Sequence, residues 1–92
     1  MSSYRLNLYI SGRSGQSDRI ISKLRALLDE ALPDDYTLKV VDVLEQPEII
    51  DRMKISFTPV LVLEHPLPVR RVFGDLSDTD QVLQSLNLPH EF

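Results

Sequence analysis

The stretch Phe57-Thr58-Pro59-Val60-Leu61-Val62-Leu63-Glu64-His65-Pro66-Leu67-Pro68-Val69-Arg70-Arg71-Val72-Phe73-Gly74-Asp75-Leu76-Ser77-Asp78 decides the fold. Val60 to Leu63 is an unbroken apolar run, the pattern of a central strand covered on both faces. Val69 to Phe73 is interrupted by Arg70 and Arg71, as an edge strand is, and His65-Pro66-Leu67-Pro68 joins the two as a hairpin. Ser77 or Asp78 then offers a cap for a helix in which Val82, Leu83 and Leu86 form the buried stripe and Pro89 is the stop. The C-terminal half is therefore a hairpin followed by a helix.

Upstream, Leu6, Leu8 and Ile10 alternate with Asn7 and Tyr9, which predicts a strand over Tyr4 to Ile10. Ser11 to Ser17 breaks it, and Ser17 or Asp18 is expected to cap a helix whose Ile20, Ile21, Leu24, Leu27, Leu28 and Leu32 recur every three or four residues. Pro33-Asp34-Asp35 ends that helix. Tyr36 to Val43 reads as a second strand, parallel to the first because a strand, helix, strand order implies a right-handed crossover. A short helix is expected over Pro47 to Lys54, with proline in its first turn and Ile49, Ile50 and Met53 inward. The order βαβαββα is that of a thioredoxin-like α/β fold, expected as a single domain spanning residues 1–92.

That fold does redox chemistry with cysteines, and this chain of 92 residues has none. A disulfide, a thiolate nucleophile and a thiolate-bound metal are all excluded. The net charge of −4, with ten basic residues against fourteen acidic ones, argues against general nucleic-acid binding. No apolar stretch approaches the roughly 18 residues of a spanning helix, so no membrane association is expected, and a soluble cytoplasmic protein is.

Each candidate motif has an ordinary structural explanation. Thr58-Pro59 precedes the central strand, where a cis bond is open, although trans is the commoner form. Gly12-Arg13-Ser14-Gly15-Gln16-Ser17 occupies the place of a redox dithiol. It lacks the lysine of a phosphate loop, so a flexible turn is favoured over an anion site. Asp75, Asp78 and Asp80 read as first-turn and cap residues in preference to metal ligands. His65 and His90 lie in proline-flanked segments with no partner for catalysis. No catalytic residue, cofactor or metal is expected. Lys39, Lys54, Arg70 and Arg71 are the basic residues near strands and turns, solvated charge being the simple explanation and an acidic partner surface the functional one.

With these residues in view the chain resembles the KaiB family, small partners of the KaiC clock ATPase. The resemblance is carried by Leu8-Tyr9-Ile10, by Tyr36 to Leu44 with Pro47, by Thr58-Pro59, and by Pro66 to Arg71 with Gly74-Asp75-Leu76-Ser77. A sensory domain of a clock-output histidine kinase is similar. The resemblance implies a non-enzymatic adaptor that binds the N-terminal ATPase ring of a KaiC-like protein, modulates its phosphorylation cycle in circadian rhythm regulation, and in cyanobacterial clocks captures KaiA. It carries Lys54, Arg70, Arg71 and Asp75 over as ring-side residues and Lys39 as the KaiA-side residue. It also implies two folds: a thioredoxin-like monomer that binds the ring, and a tetramer with a rearranged C-terminal half. Pro59, Pro66, Pro68, Ser85 and Asn87 are then the fold-switch positions, with slow X-Pro isomerisation as a contributor.

At two of those positions the chain departs from the clock proteins of the family, which typically carry glycine where Ser85 stands and aspartate where Asn87 stands. Serine costs a helix less than glycine, and asparagine avoids a negative charge at the helix C-terminus. Both changes favour the helix, hence the thioredoxin-like monomer over the tetramer. Two other functions compete with the clock adaptor. One is a stress-signalling homologue that partners a KaiC-like ATPase or a histidine kinase outside any clock. The other is an enzyme of the thioredoxin or glutathione-transferase type, using Ser14, Ser17 or Tyr9.

Overall fold

A computed structural model of the chain describes residues 3–87. Seven elements follow in the order expected: β1 (Tyr4–Ile10), α1 (Gly15–Ala31), β2 (Tyr36–Asp42), α2 (Glu48–Arg52), β3 (Val60–His65), β4 (Arg70–Val72) and α3 (Thr79–Leu86). They form one four-stranded sheet in the order β2-β1-β3-β4. β1 and β2 are parallel, with Leu8 opposite Val40, while β1–β3 and β3–β4 are antiparallel, with Leu8 opposite Leu61 and Val62 opposite Arg71. This is the thioredoxin-like arrangement, with the C-terminal half as hairpin and helix.

Two apolar layers sandwich the sheet. On one face Leu6, Leu8, Leu61, Leu63 and Val72 pack with α1 (Leu24, Leu28) and α3 (Val82, Leu86). On the other, Tyr9, Val41, Val60 and Val62 pack with Ile49, Ile55 and Met53 in and around α2. The unbroken run Val60-Leu61-Val62-Leu63 is buried throughout because β3 lies between both layers. Each such side chain contributes about 1.5–3 kcal/mol by leaving water, which is what fixes a three-residue β4 against it.

The helix boundaries correct the sequence reading in instructive ways. α1 is capped by Ser14, not by Ser17 or Asp18. Ser14 Oγ accepts the Ser17 N–H at 3.2 Å and Ser17 Oγ accepts the Ser14 N–H at 2.7 Å. Ser17 is thus the third residue of the helix, closing a capping box with Ser14, and Gly15 and Gln16 belong to the helix. Asp18 adds its charge in the first turn, where it favours the dipole. The helix ends at Leu32, whose N–H donates to the Leu28 carbonyl at 2.7 Å, and Asp34 at φ 56° turns the chain away.

α2 spans five residues, fewer than Pro47 to Lys54. Pro47 is its cap at φ −63°, and Met53 and Lys54 leave it, Lys54 in the left-handed region at φ 55°. α3 is capped by Asp78, whose Oδ1 accepts the Gln81 N–H at 3.2 Å. It ends on Asn87 at φ 54°, which donates its N–H to Leu83 and Gln84 carbonyls. Asparagine enters that backbone region at lower cost than most side chains. Asn87 therefore serves as the C-terminal cap, a more specific role than the loss of a negative charge. Pro89 and His90 lie outside the described residues. The Thr58–Pro59, His65–Pro66 and Leu67–Pro68 peptide bonds are cis; the sequence left the first open between the two forms.

Candidate interaction site

The end of the sheet where a thioredoxin-like fold keeps its dithiol holds a cavity of about 270 Å³ between the β1–α1 turn and Thr58–Pro59. Gly12, at φ 83°, makes the sharp turn that opens it, and the Gly12 N–H is tied to Asp42 Oδ1 at 2.9 Å. Ser14 and Ser17 both line it, yet their oxygens are engaged with each other's backbone in the capping box. No titratable side chain lines the cavity, so neither hydroxyl has a base within it to take its proton. Tyr9 is buried on the α2 face, away from this cavity.

The residues carried over as ring-binding lie around β4, the edge strand beyond β3. Arg71 reaches across the α2 face and donates to the Lys54 carbonyl at 3.0 Å and to the Met53 carbonyl as well. These are unpaired carbonyls beyond the C-terminus of α2, where a cation is favourable. Arg71 and Lys54 are thereby brought together, the Lys54 side chain exposed and its left-handed backbone held by the guanidinium. Arg70, one residue before it, pairs with Leu63 and so belongs to the α1/α3 face; it is half-buried. Asp75 is exposed in the turn to α3, where the Ser77 hydroxyl and then the Ser77 N–H, at 3.0 Å, hold its carboxyl below the usual range, with the Lys23 charge adding to the effect.

Lys39 is separate from this group. It lies exposed on β2, the other edge of the sheet, about 14 Å from β4 across three inter-strand spacings. Asp78 is a helix cap, accepting the Gln81 N–H, and Asp75 is a turn residue, accepting the Ser77 N–H.

Sequence reasoning missed two features. Phe57 and Phe73 are 67% and 47% exposed and stack edge to face, ring centroids 6.1 Å apart, joining the start of β3 to the end of β4. The hairpin reading put both at the same end, and that was the available signal. Asn7 Nδ2 donates to Tyr9 Oη and to Glu64 Oε1, both at 3.1 Å. The alternation in β1 marked Asn7 and Tyr9 as one face, but only the β1–β3 register brings Glu64 to them.

These features define a thioredoxin-like protein in which a helix cap occupies the end of the sheet where that fold can hold a dithiol, and whose charged groups lie at the sheet edges. The family model for the KaiB domain matches residues 7–88, and the chain belongs to the KaiB family of circadian clock proteins, which are regulatory. It is 45% identical over 85 residues to the circadian clock oscillator protein KaiB of Prochlorococcus marinus (strain MIT 9312), covering 92% of this chain and 81% of that one. It is 40% identical over 86 residues to the circadian clock protein KaiB3 of Synechocystis sp. (strain ATCC 27184 / PCC 6803 / Kazusa), covering 94% and 84%. Among solved structures it is similar to the N-terminal domain of Synechococcus elongatus SasA, with a TM-score of 0.75 and 25% identity over 100% of this chain and 91% of that one. Mitochondrial thioredoxin 3 of Saccharomyces cerevisiae shares the fold, at TM-score 0.71 and 16% identity over 96% and 81%. No helix among the described residues is long and apolar enough to cross a membrane.

Proposed function

We propose that the chain is a non-enzymatic adaptor that acts as one module on the N-terminal ATPase ring of a KaiC-like protein, in the cytoplasm, and modulates its phosphorylation cycle. The observation that carries this reading is the KaiB-domain match over residues 7–88, laid on a chain whose β3, β4 and α3 take the same arrangement as the SasA N-terminal domain. Lys54, Arg70 and Asp75 are the groups offered to the ring. Arg71 acts on the ring indirectly, by holding the Lys54 backbone. Lys39, on the free edge of β2, is the contact for KaiA where KaiA is present. Ser85 within α3 and Asn87 at its end bias the chain toward the monomer over a rearranged tetramer, with Pro59, Pro66 and Pro68 bounding the segment that differs between them.

Mixing the chain with a KaiC-type ATPase, with ATP, with ADP and without nucleotide, on a sizing column tests the reading. Co-elution in at least one nucleotide state is expected, weakened by Lys54→Ala, Arg70→Ala and Asp75→Ala. Absence of co-elution in every state contradicts it.

A further inference from the structure

The sheet face that carries α2 is only half covered by it. Toward the start of β1 the face stays open, leaving a groove of about 410 Å³. Val41, Ile49 and Met53 form its apolar side, and Arg5, Lys39 and Arg52 bring three cations to it from β1, β2 and α2. None of the three has an ion pair among the described residues, where the one salt bridge joins Arg13 and Asp18 at 3.1 Å. The chain as a whole is acidic, fourteen carboxylates to ten bases, whereas this groove holds three cations to one carboxylate, that of Glu64. A local reversal of charge over an apolar floor calls for a partner of opposite sign.

The polar centre of the groove specifies more than charge. Asn7 uses both protons of its amide, one to Glu64 and one to the Tyr9 oxygen. Tyr9 is 3% exposed and lines the groove. Its oxygen is an acceptor in that contact, and a tyrosine hydroxyl that accepts one bond can still donate another. A tyrosine hydroxyl that lines an open groove can donate to an incoming oxygen in place of water. Glu64 sets the limit on that oxygen's charge: a doubly charged phosphate meets its carboxylate, whereas a single carboxylate has three cations and a hydroxyl in its favour.

We propose that this groove binds an acidic segment of a partner protein, a glutamate or aspartate carboxylate accepting from Tyr9 Oη between Arg5, Lys39 and Arg52 while a neighbouring apolar side chain covers Val41, Ile49 and Met53. The site goes beyond ring binding and does not depend on it. Of the residues assigned to partner contacts above, Lys39 alone is shared, so Arg5, Arg52 and Tyr9 carry the test.

The experiment titrates the ¹⁵N-labelled full chain with an acetylated, amidated octapeptide alternating glutamate and leucine. The same peptide with lysine in place of glutamate, and inorganic phosphate, serve as the other arms. Saturable shifts of the Asn7 side-chain amide and of the Tyr9 and Arg52 backbone amides are expected with the acidic peptide, weakening as salt rises. Tyr9→Phe, which removes the hydroxyl alone, should weaken binding about three- to tenfold, the value of one hydrogen bond. Arg52→Ala and Arg5→Ala, both at exposed positions, should weaken it as well, and they carry the test if Tyr9→Phe loses its dispersed spectrum. No saturable shift, equal binding of the lysine peptide, phosphate binding as tight as the acidic peptide, or wild-type affinity in the folded variants each overturns the proposal. A chain that fails here yet co-elutes with the ATPase loses this site only.

Discussion

Replacing Arg71 by methionine removes two hydrogen bonds from a guanidinium to the Met53 and Lys54 carbonyls while keeping most of the aliphatic stem. A hydrogen bond from a charged donor contributes about 1.5–3 kcal/mol when well shielded, and the Lys54 bond is exposed and is discounted accordingly. The pair is therefore worth roughly 2–3 kcal/mol, and 2 kcal/mol corresponds to a fall in Tm of roughly 8–16 °C for a chain of this size. Arg71→Lys should recover about half, because one ammonium cannot span both carbonyls as a planar guanidinium does. Arg70→Met is the control: the Arg70 side chain has no hydrogen bond or ion pair among the described residues, and its loss should stay within about 0.5 kcal/mol. Urea unfolding of the three variants, followed by circular dichroism, measures the differences. Equal losses for Arg70→Met and Arg71→Met would refute the reasoning, since the two arginines would then differ only in which face they occupy.

Other outcomes follow from the caps and the core. Ser14→Ala should cost about 1 kcal/mol by urea unfolding, and Asp18→Ala clearly less, because Ser14 is the cap whereas Asp18 is a first-turn charge whose ion pair with Arg13 is exposed. Asn87→Gly should leave stability unchanged or raise it slightly and Asn87→Ala should lower it by about 1 kcal/mol, the left-handed backbone at φ 54° deciding the sign. Leu86→Ala, at a fully buried position of α3, should cost about 2–5 kcal/mol. Asp75 has a folded-state pKa below its ordinary value, so its contribution is present above the unfolded pKa and is lost as pH falls through the lower folded one. Acid titrations of the wild-type chain and Asp75→Asn should therefore converge at the acid end, the difference shrinking as pH drops below about 4.

The elements were legible because their signals are local. The unbroken run at Val60 to Leu63 and the three-to-four spacing in α1 report burial on two faces and along one stripe, and the structure has them so; the alternation in β1 marked a strand, but β1 is central and Tyr9 is buried on its second face as well. Boundaries were less so. Ser14, Ser17 and Asp18 are all good caps by residue type, and only the reciprocal bonds of Ser14 and Ser17 select the first. The candidate interaction residues were visible as charges but not as an arrangement. Arg70 and Arg71 look equivalent in sequence, yet the register of β3 with β4 sends one to backbone carbonyls near α2 and the other to the opposite face. The cationic groove was hidden for the same reason, since Arg5, Lys39 and Arg52 are distant in sequence and meet only through strand pairing and the placement of α2.

Adding unlabelled KaiC-type ATPase to the ¹⁵N-labelled chain, in the nucleotide state that favours complex formation, tests the central claim most directly. In the free chain, residues 79–86 should have helical shifts; on addition, amides around Lys54, Arg70 to Val72 and Asp75 should broaden first, with Arg19 on the exposed face of α1 unaffected. Extended shifts across residues 79–86, or broadening that starts on α1 and spares β4, would contradict it.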